Sequence, residues 1–264
     1  MKIQYISDLH LEFPEHRSFY KEHRLKPLGD VLCIAGDLGY LNFRRKHHIY
    51  EKHCDAFLDY CSDNWKATII VPGNHEFYNG YKLKELPSKV NISDNVFLLN
   101  NASHIISDVK FLGCTFWSSI NPTEHMAVAR NMNDYNFILY SKIRKFSPIL
   151  STAENKFSID FFKTEFAKKD TTKTVIVTHH APHKASLNDY YNSHSFINSA
   201  YFTDMTDFIL EHKPLLWVHG HTHAYKDYTI GETNIVSNSI GYLGYTNEPS
   251  DSISLNWASM LKEI

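Results

Sequence analysis

Cysteine is scarce in this chain, and its spacing forms no motif. Only four of the 264 residues are cysteine, and no two of them form a Cys-x-x-Cys pair. This pattern argues against a disulfide framework and against a thiolate zinc finger. We expect Cys33, Cys54, Cys61 and Cys114 to be packed, reduced thiols.

The chain also lacks a charge excess and any long apolar run. Its formal net charge is −2, which offers no electrostatic basis for binding nucleic acid or an anionic membrane. No apolar run approaches the ~20 residues of a membrane-spanning helix, and the first predicted strand begins at Lys2, which leaves no room for a signal peptide. We therefore expect a cytoplasmic protein without a membrane association.

No internal repeat, linker or low-complexity segment divides the chain. We therefore predict a single domain over residues 1–264. Residues 118–150 form its least regular part, and two interpretations stay open for them. They form a lid or insertion over the functional site, or they form a surface excursion.

Histidine, in contrast, is abundant: the chain has seventeen, and several follow short apolar runs that predict buried strands. Five such runs end in polar turns, at residues 3–6, 31–35, 67–71, 174–178 and 215–218. The turns carry, in order, Asp8 and His10; Asp37; Asn74 and His75; His179; and His221 and His223. The third turn is the most informative, because Pro72-Gly73-Asn74-His75-Glu76 presents an amide, an imidazole and a carboxylate directly after a strand.

Amphipathic helices separate several of these strands. One is predicted over about residues 44–62, a second has a capping box and a phenylalanine stripe, and a third is capped by Thr203. The capping box is Ser151 and Glu154, and the stripe is Phe157, Phe161, Phe162 and Phe166. Short strands between Val96 and Trp117 pair locally, so the pattern predicts an α/β fold with mixed sheets and polar groups at one sheet edge.

The residue types at the strand ends indicate a metal site. With His75 counted apart, two carboxylates, one amide and four imidazoles make a mixed oxygen and nitrogen set, which suits Mn²⁺, Fe or Zn²⁺. Seven ligands exceed the need of one ion but fit two ions that share a bridging carboxylate. The alternative is five independent polar turns, which leaves unexplained why each one ends on a ligand type.

These blocks resemble the calcineurin-like metallophosphoesterases. The resemblance rests on Asp8-x-His10, Gly36-Asp37, Gly73-Asn74-His75-Glu76, His179 and Gly220-His221-Thr222-His223, in the order of that family, and it spans residues 3 to about 238. It implies two mixed β-sheets packed as a sandwich, flanked by helices, with a dinuclear metal site at one edge. It also implies hydrolysis of a phosphoester, nucleotide-derived or otherwise small, by a metal-activated hydroxide.

The resemblance assigns a role to each matched residue. Asp8, His10 and His223 would hold one ion, and Asn74, His179 and His221 would hold the other. Asp37 would bridge the two ions, with Mn²⁺ the first expectation and Fe or Zn²⁺ the alternatives. His75 would be the proton donor or a phosphate contact rather than a ligand.

Departures from the family pattern limit the substrate. Protein phosphatases of the family continue the second block as Gly-Asp-x-Val-Asp-Arg-Gly, whereas this chain has Leu38-Gly39-Tyr40 after Asp37. The carboxylate that would pair with the catalytic histidine is therefore absent from that block, which makes a dedicated protein phosphatase an unfavoured assignment. A metal-dependent nuclease and a non-catalytic scaffold of the same fold stay as alternatives.

Three further residues have open interpretations. Arg130 and His183 are predicted contacts for the phosphate or the leaving group of a small phosphorylated substrate. His180, beside His179, would either contact the substrate or pack in the core, and packing is favoured.

Overall fold

The polypeptide chain forms two six-stranded β-sheets. The computed structural model describes residues 1–42, 44, 48–168, 173–187, 195–244 and 260–264. Each sheet has parallel strands at its centre and an antiparallel strand at each edge. This arrangement confirms the predicted α/β fold of two mixed sheets flanked by helices.

The first sheet contains the strands that precede three of the five polar turns. Its members are β1 (Lys2–Ile6), β2 (Val31–Ala35), β3 (Ala67–Val71), β4 (Lys89–Asn91), β5 (Val96–Leu99) and β14 (Leu261–Glu263), in the spatial order β14-β1-β2-β3-β5-β4. All residues of β2 and β3 are buried. Both faces of these strands are covered, which explains their continuous apolar character.

The second sheet contains the strands that precede the other two turns. Its members are β6 (Ala102–Ile106), β7 (Val109–Cys114), β10 (Lys173–Thr178), β11 (Leu216–His219), β12 (Tyr225–Ile230) and β13 (Thr233–Asn238), in the spatial order β12-β13-β11-β10-β7-β6. A separate hairpin pairs β8 (Leu139–Ser141) with β9 (Arg144–Lys145). The two large sheets meet at one edge, where the Ser7 backbone N–H donates to the Asn238 carbonyl at 3.1 Å.

Three apolar clusters define the layers of the sandwich. The cluster between the sheets combines residues of both, such as Val31 and Val71 from the first and Val175 and Val218 from the second. The other two clusters lie on the outer faces and are covered by helices. All four cysteines are buried and unpaired, which confirms the prediction of packed thiols.

Helices cover both outer faces. They are α1 (Pro14–Glu22), α2 (Asp55–Asn64), α3 (His125–Asn131), α4 (Asp134–Phe137), α5 (Pro148–Phe166) and α6 (Thr206–His212). Short 3-10 turns occur at Lys52–Cys54, His75–Phe77, Leu83–Glu85, Pro122–Glu124, Lys184–Ser186 and Ser195–Ala200. None of the helices in the described ranges is long and apolar enough to cross a membrane.

Two predicted helix starts were wrong. The helix predicted from about residue 44 begins at Asp55 instead, after a 3-10 turn. Helix α6 does not use Thr203 as its cap, because the Asp204 carboxylate accepts from the Thr206 N–H at 2.9 Å. A short polar side chain two residues ahead of the N–H competes for the same donor.

Helix α5 begins one turn earlier than predicted. Its cap is Ser147, and Pro148 occupies the first helical position, where the missing N–H does no harm. Ser151 therefore lies inside the helix and donates its hydroxyl to the Ser118 carbonyl at 2.7 Å, so the predicted capping box was wrong. Phe162 packs in the core as predicted, but Phe157 is 57% exposed.

Residues 118–150 are more regular than the sequence pattern predicted. They form α3, α4, the β8–β9 hairpin and the start of α5. Val128, Tyr135, Ile138 and Phe146 pack into the cluster on the outer face of the first sheet. The single-domain division and a lid role for this segment both stay predictions.

Candidate metal centre

The five polar turns meet at one edge of the sandwich because their strands run in parallel within each sheet. The Asp8 N–H donates to the Gly36 carbonyl at 3.0 Å, and the His10 N–H donates to the Asp37 carbonyl at 2.9 Å. Across the sheets, the His221 N–H donates to the Asp8 carboxylate at 3.2 Å. Hydrogen bonds from backbone N–H groups therefore join the turns, within the first sheet through carbonyls and between the sheets through the Asp8 carboxylate.

The side chains at this edge form three overlapping groups whose ligand atoms lie within 4.8 Å of one another. The groups are Asp8, His10 and His223; Asp8, Asp37 and His179; and His10, Asp37 and His75. Since Asp8, His10 and Asp37 each belong to two groups, the three groups form one continuous cluster. Every member is buried.

The distances inside the cluster fit the spacing of ligands around a cation. Asp8 Oδ1 lies 3.4 Å from His223 Nε2, and Asp37 Oδ2 lies 3.5 Å from His179 Nε2 and 3.9 Å from His10 Nε2. With metal–ligand bonds near 2.1 Å, adjacent ligands of one ion are about 3.0–3.5 Å apart. The measured distances lie at or slightly above that range.

Asn74 and His221 complete the predicted set. Asn74 Oδ1 lies 2.8 Å from His179 Nε2, and the His221 and His179 rings are 4.9 Å apart between centroids. His221 Nε2 is buried and has no hydrogen-bond partner among the described residues. A buried polar atom without a partner is unfavourable by ~1–3 kcal/mol, so this nitrogen is suited to a ligand bond.

The turns adopt strained backbone conformations at several of these residues. Asp8, His10, Asp37, His221 and His223 all have φ between +45° and +66°. This left-handed region is unfavourable for residues with a Cβ and clusters at functional sites. The strain is the reason that the side chains of consecutive turns point to one place instead of following the strand alternation.

Two glycines make room for the cluster. A Cβ on Gly73 would lie 2.1 Å from Asp37 Oδ1, and one on Gly36 would lie 2.3 Å from His179 Nδ1. Gly36 also has a φ of +85°, which glycine adopts without strain. The glycines of the Gly36-Asp37 and Gly73-Asn74 motifs are therefore required because a side chain at either position would overlap His179 or Asp37.

The buried Glu76 ties the second turn to the third. Its carboxylate accepts from the backbone N–H groups of Gly73 at 2.7 Å, Leu38 at 2.9 Å and Asp37 at 3.1 Å. Burial raises the pKa of Glu76 to about 7, against the effect of these donors. Glu76 therefore holds Asp37 in place without reaching the cluster itself.

Asp134 orients the Asn74 amide. Asn74 Nδ2 donates to Asp134 Oδ1 at 2.9 Å and to the Tyr78 hydroxyl at 3.0 Å, and the Tyr78 hydroxyl donates to the same carboxylate. With its nitrogen held on that side, the amide presents Oδ1 to His179. The sequence pattern did not indicate this role, because Asp134 lies in the irregular segment 118–150 and follows none of the five apolar runs.

Electrostatics at the edge favours a bound cation. Burial lowers the pKa of His10 to about 3 and that of His179 to about 4, so both rings are neutral and keep a lone pair for a ligand bond. Burial, together with Glu76 and Asp8, raises the pKa of Asp37 well above its usual range. A cation among these groups would offset both the burial and the repulsion between the carboxylates.

His75 lies at the edge of the cluster and contacts the Glu12 carboxylate, which the sequence motifs did not indicate. Its Nδ1 is 2.7 Å from Glu12 Oε1, and His10 Nδ1 is 3.1 Å from the same oxygen. The second block has no carboxylate after Asp37, and Glu12 of the first turn supplies one to His75 instead.

A cavity of about 180 Å³ opens beside the cluster. Its walls combine cluster residues with residues of the segment 118–150 and of the loop after β13. They are Asp37, Asn74, Tyr78, Asn131, Met132, Asn133, Tyr201, His221, His223 and Tyr242. The Tyr242 hydroxyl lies 2.8 Å from His75 Nε2, which places this nitrogen next to a wall residue of the cavity.

The remaining predicted residues lie away from this cavity wall. Arg130 is exposed at the end of α3, while the next three residues line the cavity. His183 caps a 3-10 turn by accepting from the Ala185 N–H at 3.1 Å. A contact with substrate stays a prediction for both. His180 is 1% exposed and packs 4.1 Å from the His221 ring, which favours its packing role.

Comparison with known proteins agrees with this geometry. The model of the calcineurin-like phosphoesterase family matches residues 1–225, and the chain belongs to that family. Membership supports a metal-dependent phosphoesterase, and the buried Asp and His groups are candidate metal ligands.

Two individual proteins are similar over most of their length. A protein of Acanthamoeba polyphaga mimivirus, "Uncharacterized protein L509", is 28% identical in a comparison that covers 91% of each chain. The crystal structure of the phosphopantetheinyl hydrolase PptH from Mycobacterium tuberculosis has a TM-score of 0.66 at 18% identity, over 91% of this chain and 89% of that one. The second likeness shows a shared fold.

Proposed function

We propose that the protein hydrolyses a small phosphomonoester or phosphodiester, with two divalent cations bound at the cluster. The observation that carries the proposal is the convergence of ligand atoms within 4.8 Å in three overlapping groups. One cation would engage only part of this set, whereas two cations that share Asp37 would engage every member except His75. Mn²⁺ is the first expectation, and Fe and Zn²⁺ suit the same donors.

The ligands divide between the two ions according to their positions. Asp8, His10 and His223 form one buried group and would hold the first ion. Asn74 and His221 both lie close to His179, and these three residues would hold the second. When bound, such a pair of ions lowers the pKa of a water and neutralises charge on phosphate oxygens.

His75 is the residue of this chain that would handle a proton. It belongs to the edge of the cluster, and its Nε2 lies beside the cavity wall. An imidazole there can donate a proton to the leaving-group oxygen, which converts a poor leaving group into a neutral alcohol. The cavity of about 180 Å³ suits a phosphoryl group with a small substituent.

Two other functions are weaker on the same observations. A scaffold would leave Asp8 and Asp37 buried together without a cation, which is unfavourable by several kcal/mol. A duplex nuclease would need a basic surface track, and the net charge of −2 provides no excess for one.

Metal analysis tests the proposal first. After chelation and reloading with Mn²⁺, elemental analysis should find about two ions per chain. Fewer than one ion per chain would favour the scaffold.

A substrate panel, assayed with Mn²⁺, then defines the reaction. It contains nitrophenyl phosphate, bis-nitrophenyl phosphate, phosphorylated metabolites, linear and cyclic dinucleotides, and single-stranded DNA. A phosphopantetheine ester is included because the M. tuberculosis protein of the same fold is named a phosphopantetheinyl hydrolase. Cleavage of DNA alone would contradict a small-substrate enzyme.

A further inference from the structure

Glu12 is the buried group at this edge that the proposed function has not yet used. Its side chain is 1% exposed, and Oε1 lies 2.7 Å from His75 Nδ1 and 3.1 Å from His10 Nδ1. Glu12 belongs to the loop after β1, two residues beyond His10, while His75 belongs to the loop after β3. A single carboxylate oxygen therefore joins two turns of the cluster.

The contacts determine where each of the two rings carries its hydrogen. A carboxylate oxygen accepts, so both rings donate through Nδ1, and both direct Nε2 elsewhere. His10 Nε2 faces the cluster, 3.9 Å from Asp37 Oδ2 and 3.5 Å from His223 Nε2. His75 Nε2 faces the Tyr242 hydroxyl at 2.8 Å, at the cavity.

The surroundings of His75 leave it little freedom to turn. Its ring stacks on Tyr78 at 4.3 Å between centroids with an interplanar angle of 28°. The His10 ring packs against it edge-on at 4.4 Å. Tyr78 and His10 therefore fix the plane of the ring, while Glu12 fixes the end that points inward.

We infer that Glu12 is the positioning residue of the proton donor: it holds the hydrogen of His75 on Nδ1 and presents Nε2 to the leaving group. The inference rests on the proposed function, which it deepens. Glu12 would thus pair with the histidine in place of the carboxylate that is absent from the second block, and it belongs to a different loop.

The step that this geometry serves is a balanced hydrolysis. A water oxygen forms the new bond to phosphorus and loses a proton to solvent, and the bond from phosphorus to the ester oxygen breaks. That ester oxygen takes the proton from His75 Nε2 and leaves as an alcohol. His75 then regains a proton from solvent, and its Nδ1–H stays on Glu12 throughout.

Comparing substrates with different leaving groups distinguishes a role in proton donation from a general structural role of Glu12. Proton donation matters for an alkyl phosphate, whose alkoxide is a poor leaving group, and matters little for nitrophenyl phosphate. Glu12→Gln should lower kcat about 10²-fold or more with the alkyl ester but under about 5-fold with the nitrophenyl ester. Glu12→Asp should recover part of the loss, and Glu51→Gln, which removes a charge near the same loops, should match wild type.

Two further measurements decide whether Glu12 acts on catalysis through His75 or through His10. In the His75→Ala background, Glu12→Gln should lower kcat no further. Metal content should stay at the wild-type value in Glu12→Gln, whereas loss of an ion would show that Glu12 acts through His10 and would overturn the inference. Equal losses with both esters would overturn it as well.

Nitrogen NMR of the metal-free protein provides a readout that needs no activity. The His75 ring should carry its hydrogen on Nδ1 in wild type and shift towards Nε2 in Glu12→Ala. An unchanged tautomer in that variant would overturn the inference. If wild type cleaves neither ester, the proposed function fails, and the NMR result still decides whether Glu12 holds the ring.

Discussion

The two sheets contribute different chemistry to the same edge. The loops of the first sheet supply every predicted oxygen ligand, from Asp8, Asp37 and Asn74. The loops of the second sheet supply only imidazoles, from His179, His221 and His223. Neither sheet alone therefore brings together the full mixed set, and the site depends on the packing between the sheets.

The largest effect should come from the first sheet, at its shared carboxylate. Asp37→Ala removes the carboxylate whose Oδ2 lies 3.9 Å from His10 Nε2 and 3.5 Å from His179 Nε2, and which belongs to two of the three groups. We expect loss of both ions and a fall in phosphoesterase activity of at least ~10³-fold, since the ions supply most of the charge stabilisation. Elemental analysis and a nitrophenyl phosphate assay measure the two effects.

Asp63→Asn is the matched control, because Asp63 is exposed on α2. It should retain metal and activity. An unchanged metal content in Asp37→Ala would contradict the bridging role and the dependence on the first sheet.

A smaller effect is expected from the second sheet. His221→Ala removes one imidazole whose Nε2 has no other partner among the described residues, so it should weaken one ion and leave the other. Metal content should fall to about one ion per chain after dialysis, with activity reduced about 10²-fold. Loss of both ions would mean that the two ion sites depend on each other more than the ligand positions indicate. The control is His23→Ala, at an exposed position directly after α1.

Asp134→Ala tests a contribution from outside both sheets. The variant lacks the Oδ1 atom that accepts from both Asn74 Nδ2 and the Tyr78 hydroxyl, so Asn74 can turn its own Oδ1 away from His179. Loss of an orienting group of this kind lowers metal affinity about 10–100-fold. A metal titration followed by calorimetry measures the change, and an affinity equal to wild type would show that Asn74 is oriented by Tyr78 alone.

The smallest effect concerns a histidine of the second sheet that lies outside the predicted ligand set. His219 is fully buried, with Nε2 2.8 Å from the Ser186 hydroxyl, and burial lowers its pKa to about 4 from an ordinary value of 6.5. The folded state thus favours the neutral ring, so this contribution to stability is complete above pH 6.5 and declines as the pH falls towards 4.

Denaturant unfolding of wild type and His219→Gln between pH 4 and 7.5 measures that contribution. The difference in the free energy of unfolding between the two should shrink as the pH falls. A constant difference over this range would show that the ring is not held neutral.

The main features of the fold and the convergence of the polar turns at one edge were predictable because their signals are local. Each apolar run and the polar turn behind it occupy fewer than about ten residues, and strand direction then brings the turns to one edge. Asp8, Asp37 and Asn74 each follow a buried strand directly. Helix starts were less predictable, since Ser147 and Ser151 both offer a cap and only the chain path into Pro148 decides between them.

The residues that support the site were not predictable in this way. Glu12 is 63 positions from His75, and Asp134 is 60 positions from Asn74. Tyr242 is 167 positions from His75. Only the recurrence of acidic and imidazole residues in Asp8-x-His10-x-Glu12 indicates such a role, and the left-handed backbone at Asp8 and His10 means that strand alternation does not explain it. Asp134 has no comparable signal.

The hydrogen bond from the His221 backbone N–H to the Asp8 carboxylate joins residues 213 positions apart in the chain. During translation, the ribosome must therefore release most of the polypeptide before the imidazoles of the second sheet can reach the carboxylates of the first. Closing so large a loop is entropically unfavourable and is among the late steps in assembly. A nascent chain would thus emerge without a complete ion site and would acquire its metal only once both sheets have docked.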